Sequence, residues 1–211
     1  MAGNRTSEAA GRERLPQKRL PPGQYVSHEW PVLHYGPVPK FDPDTWDLQV
    51  FGATASGQEH RWGWEDFSAL RRRVLVADLH CVTKFSVLDN EWEGVPASVL
   101  LELAPPEPGV THVMVWAEYG YSANMRLSDF AADHTLFAIH RNGERLAPEH
   151  GYPVRLVVPH LYAWKSVKWA RGVEYAVGEP RGFWEERGYH KIADPWREQR
   201  YAYQELTGED T

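Results

Sequence analysis

The sequence contains a single cysteine, Cys81, which follows His80 at the end of an apolar run. A cysteine thiolate is a nucleophile and a soft metal ligand, and an adjacent histidine or lysine favours the thiolate over the thiol. One cysteine is too few for an intrachain disulfide, an iron–sulfur cluster or a cysteine-rich zinc site. Free cysteines are often buried and inert, so packing is the alternative interpretation. If Cys81 takes part in chemistry, it acts as a single thiol.

A second segment with chemical potential runs from His150 to Arg171 and contains no aspartate or glutamate in 22 residues. The chain as a whole carries a net charge of −6, so this basic segment departs from its surroundings. Lys165 and Lys168 flank Ser166, and two ammonium groups with a hydroxyl suit a phosphate group. A strand with solvated basic residues at its rim is the alternative. The segment is therefore a candidate local anion site in an acidic protein.

Several other patterns argue against particular chemistries. The glycines form no Walker or dinucleotide-binding loop, and the ten histidines include no His-x-x-x-His pair. Glu91 and Glu93 flank Trp92 and fit a solvated face beside a buried tryptophan better than a pair of catalytic carboxylates. The negative net charge argues against general nucleic-acid or membrane-surface binding, and no apolar stretch approaches the ~20 residues of a membrane span. A cytoplasmic location is expected, since no secretion signal is recognisable.

The length of 211 residues predicts one substantial domain. Residues 1–27 are polar and basic and are predicted to form a flexible N-terminal arm, residues 28–201 form the domain, and residues 202–211 form a polar C-terminal tail. Aromatic and turn-forming residues are abundant, which favours a strand-rich and loop-rich fold.

Hydrophobic periodicity supports an α+β fold dominated by β structure. Short helices are predicted at 64–70 and 95–103. The predicted strands are 46–52, 74–81, 112–117, 154–158 and 173–177. The second of these strands is expected to be buried and to deliver Cys81 to its end.

The two segments, taken in order, carry a recognisable set of motifs: CVTKFS at 81–86, GYPVRLVVP at 151–159 and KSVK at 165–168. GFWE at 182–185 and DPWR at 194–197 follow them. This order resembles the molybdopterin-binding domain of the sulfite oxidase superfamily, over about Trp30 to Tyr201. Small bacterial sulfite oxidase-like oxidoreductases, related to the catalytic subunit of methionine sulfoxide reductase, are the most similar type.

The resemblance implies a β-rich, mixed-sheet and barrel-like fold with short helices, and a cofactor of molybdenum bound to molybdopterin. It places Cys81 at the position of the thiolate that binds molybdenum, with the pterin supplying two further sulfurs. It also implies a set of cofactor-binding residues: His34, Tyr35, His80, Glu118, His150, Arg155, Ala163, Trp164, Lys165, Ser166 and Lys168.

The implied reaction is two-electron oxygen-atom transfer on a small sulfur- or nitrogen-oxide type of substrate. Lys84, Tyr121 and Arg126 are expected to contact that substrate because they lie near the matched motifs. Animal and plant sulfite oxidases have an arginine-rich stretch after the ligand cysteine, whereas Val82, Thr83 and Lys84 follow here, so sulfite is not favoured. No haem domain is recognisable, and a separate protein is expected to donate or accept electrons.

Two other functions are compatible with the residues. A non-catalytic ligand- or partner-binding module could retain the fold and use an aromatic groove. A thiol enzyme could pair Cys81 with His80, although neighbours on a strand point to opposite faces.

Overall fold

The computed structural model describes residues 19–207, which form two β-sheets connected by long loops and short helices. The strands are β1 (Tyr25–Val26), β2 (Asp47–Gly52), β3 (His60–Gly63), β4 (Arg73–His80), β5 (Phe85–Pro96), β6 (His112–Ala117), β7 (Ser122–Arg126), β8 (Leu136–Arg141), β9 (Glu144–Arg145), β10 (Arg155–Val157) and β11 (Ala170–Ala176). The α-helices are α1 (Trp64–Ala69), α2 (Ala97–Leu103) and α3 (Leu127–Phe130). Short 3₁₀ helices occupy Glu118–Gly120, Pro148–His150, Ala163–Lys165, Glu185–Arg187 and Ala202–Thr207.

The first sheet is organised around the long strand β5, which pairs antiparallel with β4 and β8 and parallel with β1. Strand β8 then pairs with β9 and β10. The second sheet has the order β3-β2-β11-β6-β7, in which only β2 and β11 run parallel. The β-rich, mixed-sheet fold with short helices is confirmed, and among residues 19–207 neither sheet closes into a barrel. Closure would need the edge strands to pair, and β3 and β7 each have one neighbour.

The largest hydrophobic cluster joins the two sheets. Alternate residues of β2, Leu48 and Val50, are fully buried, as expected for a strand that packs one face on the core. The cluster combines residues of the second sheet with residues of the first: Leu48, Val50, Val113, Val115 and Val173 with Val95, Phe137 and Leu156. Loops that connect the strands of these two sheets line the main cavity of the protein.

Strand β5 is the main element that the periodicity does not predict. The helix predicted from residue 95 begins at Ala97, because Val95 and Pro96 still pair with Phe137 and Leu136 of β8. Gly94 permits this approach, since a Cβ there would overlap the Phe137 carbonyl oxygen. Tertiary pairing therefore overrides the local helix signal at the start of this segment.

Regular secondary structure extends beyond both ends of the predicted domain, 28–201. Strand β1 lies within the predicted arm and pairs with Phe85 and Ser86, and a 3₁₀ helix covers residues 202–207. Residues 1–18 of the arm and 208–211 of the tail lie outside the described residues. The division into arm, domain and tail remains a prediction. Within residues 19–207, no helix has the length and apolar character required to cross a membrane.

Candidate active site

A cavity of about 310 Å³ opens beside Cys81. Four segments enclose it: residues 30–35, the turn after β4, the loop at 163–169, and residues 184–189. Its lining comprises Trp30, Pro31, Leu33, His34, Tyr35, Leu79, Cys81, Val82, Thr83, Phe85, Tyr121, Arg155, Ala163, Trp164, Ser166, Lys168, Trp169, Trp184 and Tyr189. Aromatic and aliphatic side chains dominate, and none of these lining residues is an aspartate or glutamate.

Cys81 lies in a tight turn between β4 and β5. Its amide donates to the Phe85 carbonyl at 2.9 Å, and its carbonyl accepts from the Lys84 amide at 3.0 Å. Lys84 has a φ of +80°, a left-handed conformation that reverses the chain within four residues. Cys81 is 8% exposed and lines the cavity.

Contacts from distant parts of the chain hold this turn in place. Gln24 Nε2 donates to the Cys81 carbonyl at 3.1 Å, and the Arg200 guanidinium donates to the Val82 carbonyl. The Thr83 hydroxyl donates to Cys81 Sγ at 3.1 Å. The sulfur is therefore presented on a turn whose backbone and side chain are both constrained.

Two cations also line this cavity, Arg155 and Lys168. Arg155 is buried on β10, where its guanidinium donates to the carbonyls of His150 and Ser166 at 3.0 Å each. Lys168 Nζ donates to the carbonyls of Leu33 and Glu149 at 2.8 and 2.7 Å. Neither cation pairs with a carboxylate within residues 19–207.

The environment of these cations penalises their charge. Burial, followed by repulsion from Arg141, lowers the pKa of Arg155 to about 9. Burial, followed by repulsion from Arg155, lowers the pKa of Lys168 to about 7. Two desolvated positive groups that face a cavity without a carboxylate form a site for an anion.

Gly151 allows these cations to approach each other. Its φ is +113°, and a Cβ added there would lie 2.9 Å from Cβ of Arg155 and 3.2 Å from Cβ of Lys168. The GYP motif thus has a steric basis, because only glycine combines this backbone conformation with this close packing.

Residues 35–184 match the family model of the oxidoreductase molybdopterin binding domain. The chain belongs to this family. It is a sulfite oxidase-like molybdopterin oxidoreductase, and its cofactor is molybdopterin with molybdenum, which confirms the expectation from the motifs.

Individual relatives show different extents of similarity. The "Uncharacterized oxidoreductase YuiH" of Bacillus subtilis strain 168 is 44% identical over 188 residues, which cover 88% of this chain and 93% of the relative. The catalytic subunit MsrP of the protein-methionine-sulfoxide reductase from Gluconobacter oxydans is 26% identical, covering 74% of this chain and 56% of MsrP. Human mitochondrial sulfite oxidase is 27% identical, covering 72% of this chain and 33% of that enzyme.

A solved structure supports the same fold. The sulfane dehydrogenase SoxCD from Paracoccus pantotrophus superposes with a TM-score of 0.62 and 23% identity, covering 69% of this chain and 41% of the SoxCD chain. The chain of this oxidoreductase thus spans about half or less of SoxCD and human sulfite oxidase.

The cavity of the oxidoreductase fits a molybdopterin cofactor. Within residues 19–207, no three His, Cys, Asp or Glu side chains cluster to bind a metal, so a metal beside Cys81 needs further ligands from a cofactor. Arg155 lines the cavity, and its Nε is buried without a hydrogen-bond partner in the described chain. A buried polar atom of this kind is normally satisfied. An anionic, hydrogen-bonding ligand would satisfy it and neutralise the charge of Arg155 and Lys168.

Most of the residues implied by the motifs line this cavity. They are His34, Tyr35, Cys81, Arg155, Ala163, Trp164, Ser166 and Lys168, and Tyr121, which was expected to contact the substrate, lines the cavity as well. The His34 ring contacts Trp169 edge-on at 5.3 Å, and the Tyr121 hydroxyl donates to the Trp164 carbonyl at 2.7 Å. Burial raises the pKa of Tyr121 well above its ordinary value, so this hydroxyl remains protonated.

Two predicted histidines lie behind the cavity wall. The buried His80 ring is hydrogen-bonded to Ser86 Oγ at 2.8 Å and does not line the cavity, so direct cofactor contact by its side chain is not supported. This placement also argues against a thiol enzyme that pairs His80 with Cys81. The His150 ring stacks on Trp30 with centroids 3.8 Å apart, and its carbonyl orients Arg155.

Lys165 lies beneath the cavity rather than in its lining. Its side chain is fully buried, with Nζ 2.6 Å from Glu185 Oε1 and hydrogen bonds to Asn124 and to the Lys191 carbonyl. Trp164 Nε1 donates to the same carboxylate at 2.9 Å. The ammonium group of Lys165 therefore has acceptors inside the protein, and its role in cofactor binding stays a prediction.

Three other predicted residues lie outside the lining of this cavity. Glu118 pairs with Arg171 at 2.6 Å and lines a separate, smaller cavity. Lys84 and Arg126 are exposed and do not line the cavity beside Cys81, and their substrate contact stays a prediction. Lys84 lies in the turn that carries Cys81, but proximity in sequence does not place its side chain in the cavity.

Several cavity residues were not predicted: Trp30, Thr83, Trp169, Trp184 and Tyr189. The high tryptophan content was the available signal, but core packing explains most buried aromatics equally well. Their shared location becomes apparent only when the segments at 30–35, 163–169 and 184–189 come together.

Replacement of Glu185 by alanine should destabilise the cofactor-free protein by about 3 kcal/mol, because it leaves the Lys165 charge buried without its partner. Urea unfolding measures this change. Glu186→Ala is the matched control, since its exposed carboxylate lies 3.8 Å from Arg187 and such pairs contribute at most about 1 kcal/mol. Joint replacement by Lys165→Met and Glu185→Leu should cost less than Glu185→Ala alone. Equal stability of the Glu185 and Glu186 variants would contradict the role of the buried pair.

The stability of the cofactor-free protein should rise with pH between 7 and 10.5 through Lys168. Its folded-state pKa lies below the ordinary value of 10.5, so in this range the unfolded chain binds the proton more tightly and deprotonation favours folding. Thermal unfolding across this range should show a smaller rise for Lys168→Met. The exposed Lys40→Met variant should keep the wild-type slope, and identical slopes for all three proteins would refute the assignment.

Proposed function

We propose that this oxidoreductase catalyses two-electron oxygen-atom transfer on a small sulfur- or nitrogen-oxide substrate, with the Cys81 thiolate as a molybdenum ligand. The supporting observation is the cavity itself, where Cys81 lines the same space as Arg155, Ser166 and Lys168. A soft donor and desolvated cations in one cavity match a metal held by an anionic cofactor.

The protein residues divide the work within this cavity. Arg155 and Lys168 would hold the anionic part of the cofactor, and Gly151 and the carbonyls of His150 and Ser166 orient Arg155 for that role. When bound, the molybdenum cofactor supplies the two-electron redox change and the exchange of an oxygen atom. The aromatic side chains exclude bulk water, which strengthens electrostatic interactions in the cavity.

The residues near Cys81 favour an uncharged substrate. Val82 packs against Cys81 on one side and against the cluster that contains Trp184 and Tyr189 on the other. These side chains carry no positive charge, and the neighbouring Arg200 guanidinium already donates to the Val82 carbonyl and lies 3.6 Å from Glu198. The cations that line the cavity, Arg155 and Lys168, are assigned to the cofactor. A neutral sulfoxide or N-oxide therefore fits this region better than sulfite or nitrate, which would need an additional cation.

The overall reaction requires a separate redox partner. In the reductive direction the S–O or N–O bond of the substrate breaks, two electrons and two protons enter, and water leaves. In the oxidative direction water supplies the oxygen, and two electrons and two protons leave. A separate protein that donates or accepts these electrons remains part of the proposal, as does a cytoplasmic location.

Metal and pterin analysis of protein produced in a molybdenum-cofactor-competent host tests the proposal. Wild-type protein should contain molybdenum and pterin, and it should reduce uncharged sulfoxides or N-oxides with a reduced viologen at higher kcat/KM than nitrate. Sulfite should be a poor substrate when ferricyanide is the acceptor. Loaded protein that turns over none of these compounds, or that prefers sulfite or nitrate, would overturn the substrate assignment. Protein that never binds the pterin would instead support a non-catalytic module.

A further inference from the structure

Thr83 forms a contact with the reactive sulfur that the cofactor-binding motifs do not explain. Its hydroxyl donates a hydrogen bond to Cys81 Sγ at 3.1 Å, and both residues line the cavity. Because Thr83 is exposed, its side chain is not held there by core packing. The placement depends on the turn between β4 and β5.

The turn fixes the geometry of this contact. The hydrogen bond between the Lys84 amide and the Cys81 carbonyl closes the turn, and the left-handed Lys84 sets its direction. Gln24 and Arg200 bind the carbonyls of Cys81 and Val82 from outside the turn. Thr83 is thus presented to the sulfur by a backbone that these three hydrogen bonds restrain.

A hydrogen bond to a metal-bound sulfur has a defined chemical effect. It withdraws electron density from the sulfur and weakens its donation to the metal, which makes reduction of the metal easier. It also restricts rotation about the Cα–Cβ bond of the cysteine and thereby fixes the direction of the sulfur lone pairs. Among the residues that line the cavity, Thr83 is the one with a hydrogen bond to Cys81 Sγ.

We propose that Thr83 is a positioning residue that orients the Cys81 sulfur and tunes its donor strength toward molybdenum. This inference rests on the proposed role of Cys81 as the metal ligand. It assigns to the CVT motif a function beyond supplying the cysteine, since the hydroxyl of its third residue, Thr83, donates a hydrogen bond to the sulfur of its first residue, Cys81.

Thr83→Val removes the hydroxyl at constant size and β-branching, and Thr83→Ser keeps it. In the molybdenum-loaded protein, Thr83→Val should shift the midpoint potential of the metal to more negative values. The sulfur-to-molybdenum charge-transfer absorption should move to lower energy, because the sulfur becomes a stronger donor. The separate variant Thr83→Ser should keep the wild-type midpoint potential and the wild-type charge-transfer absorption. Redox titration and absorption spectroscopy provide these readouts independently of turnover.

The possible outcomes separate this inference from the proposed function. Wild-type potential and absorption in Thr83→Val would overturn the tuning role, and a change confined to KM would assign the hydroxyl to substrate contact instead. Thr83→Ala carries the same prediction if Thr83→Val loads poorly. If neither variant takes up metal while Thr83→Ser does, the hydroxyl serves assembly and tuning is refuted. Wild-type absorption in Cys81→Ser would show that Cys81 is not the ligand, which refutes the proposed function itself.

Discussion

Cys81→Ser should lower turnover by about a thousandfold while most of the pterin stays bound, which corresponds to about 4 kcal/mol of lost transition-state stabilisation. A serine oxygen is a hard donor and replaces the soft thiolate poorly on this metal. The cations that are proposed to hold the cofactor, Arg155 and Lys168, are unchanged in this variant. Molybdenum content, pterin content and steady-state kinetics of the same preparation measure the three quantities.

The comparison must separate a ligand role from a packing role of Cys81. The residue is 8% exposed and packs against Phe85 and Val87, so the thermal unfolding of the cofactor-free variant should be recorded as well. Cys81→Ala removes the sulfur without adding a polar atom and should show the same loss of turnover. Turnover near the wild-type level in either loaded variant would rule out Cys81 as an essential ligand.

Arg155→Met should weaken cofactor binding by about a thousandfold, since removal of one partner from a buried, hydrogen-bonded charge pair costs roughly 2–5 kcal/mol. Arg155 is 2% exposed and faces the cavity, and its Nε has no partner in the described part of the chain. Methionine retains much of the side-chain volume but removes the charge. The pterin content of purified protein should therefore fall to a small fraction of the wild-type value.

Matched variants distinguish loss of the cofactor from loss of the fold. Arg71→Met removes an exposed arginine that pairs with Glu102 on the surface, and it should leave pterin content unchanged. Arg155→Lys keeps a positive charge but loses the two-pronged contact with the carbonyls of His150 and Ser166, so it should retain an intermediate amount. Full pterin content in folded Arg155→Met would exclude the arginine from cofactor binding.

The acid-free segment illustrates both the reach and the limit of sequence patterns. Its composition indicates an anion site, and Arg155, Ser166 and Lys168 do line the cavity. Lys165 belongs to the same KSVK motif, yet its ammonium group turns inward to Glu185. The motif lies in the loop between β10 and β11, where neighbouring side chains can face opposite sides. Composition identifies the charge of such a loop but not the direction of each side chain.

The long strand β5 shows a second limit. Its residues alternate imperfectly, because β5 is paired along its length with β4 and β8 and is bent by register shifts in both pairings. Gly94 and Pro96 resemble the start of a helix when only local sequence is considered. Long-range hydrogen bonds determine their strand conformation, and such bonds leave little trace in a local pattern.

The sequence by itself determined the strand that ends at Cys81, the basic segment at 150–171, and the family to which the chain belongs. These features depend on local periodicity, on charge and on the order of short motifs. The tertiary structure alone decided which basic groups face the cavity, which aromatic residues enclose it, and that Thr83 donates to the cysteine sulfur. Those properties depend on loops from distant parts of the chain meeting at one place, and on burial, which changes the pKa of Arg155 and Lys168 only after folding.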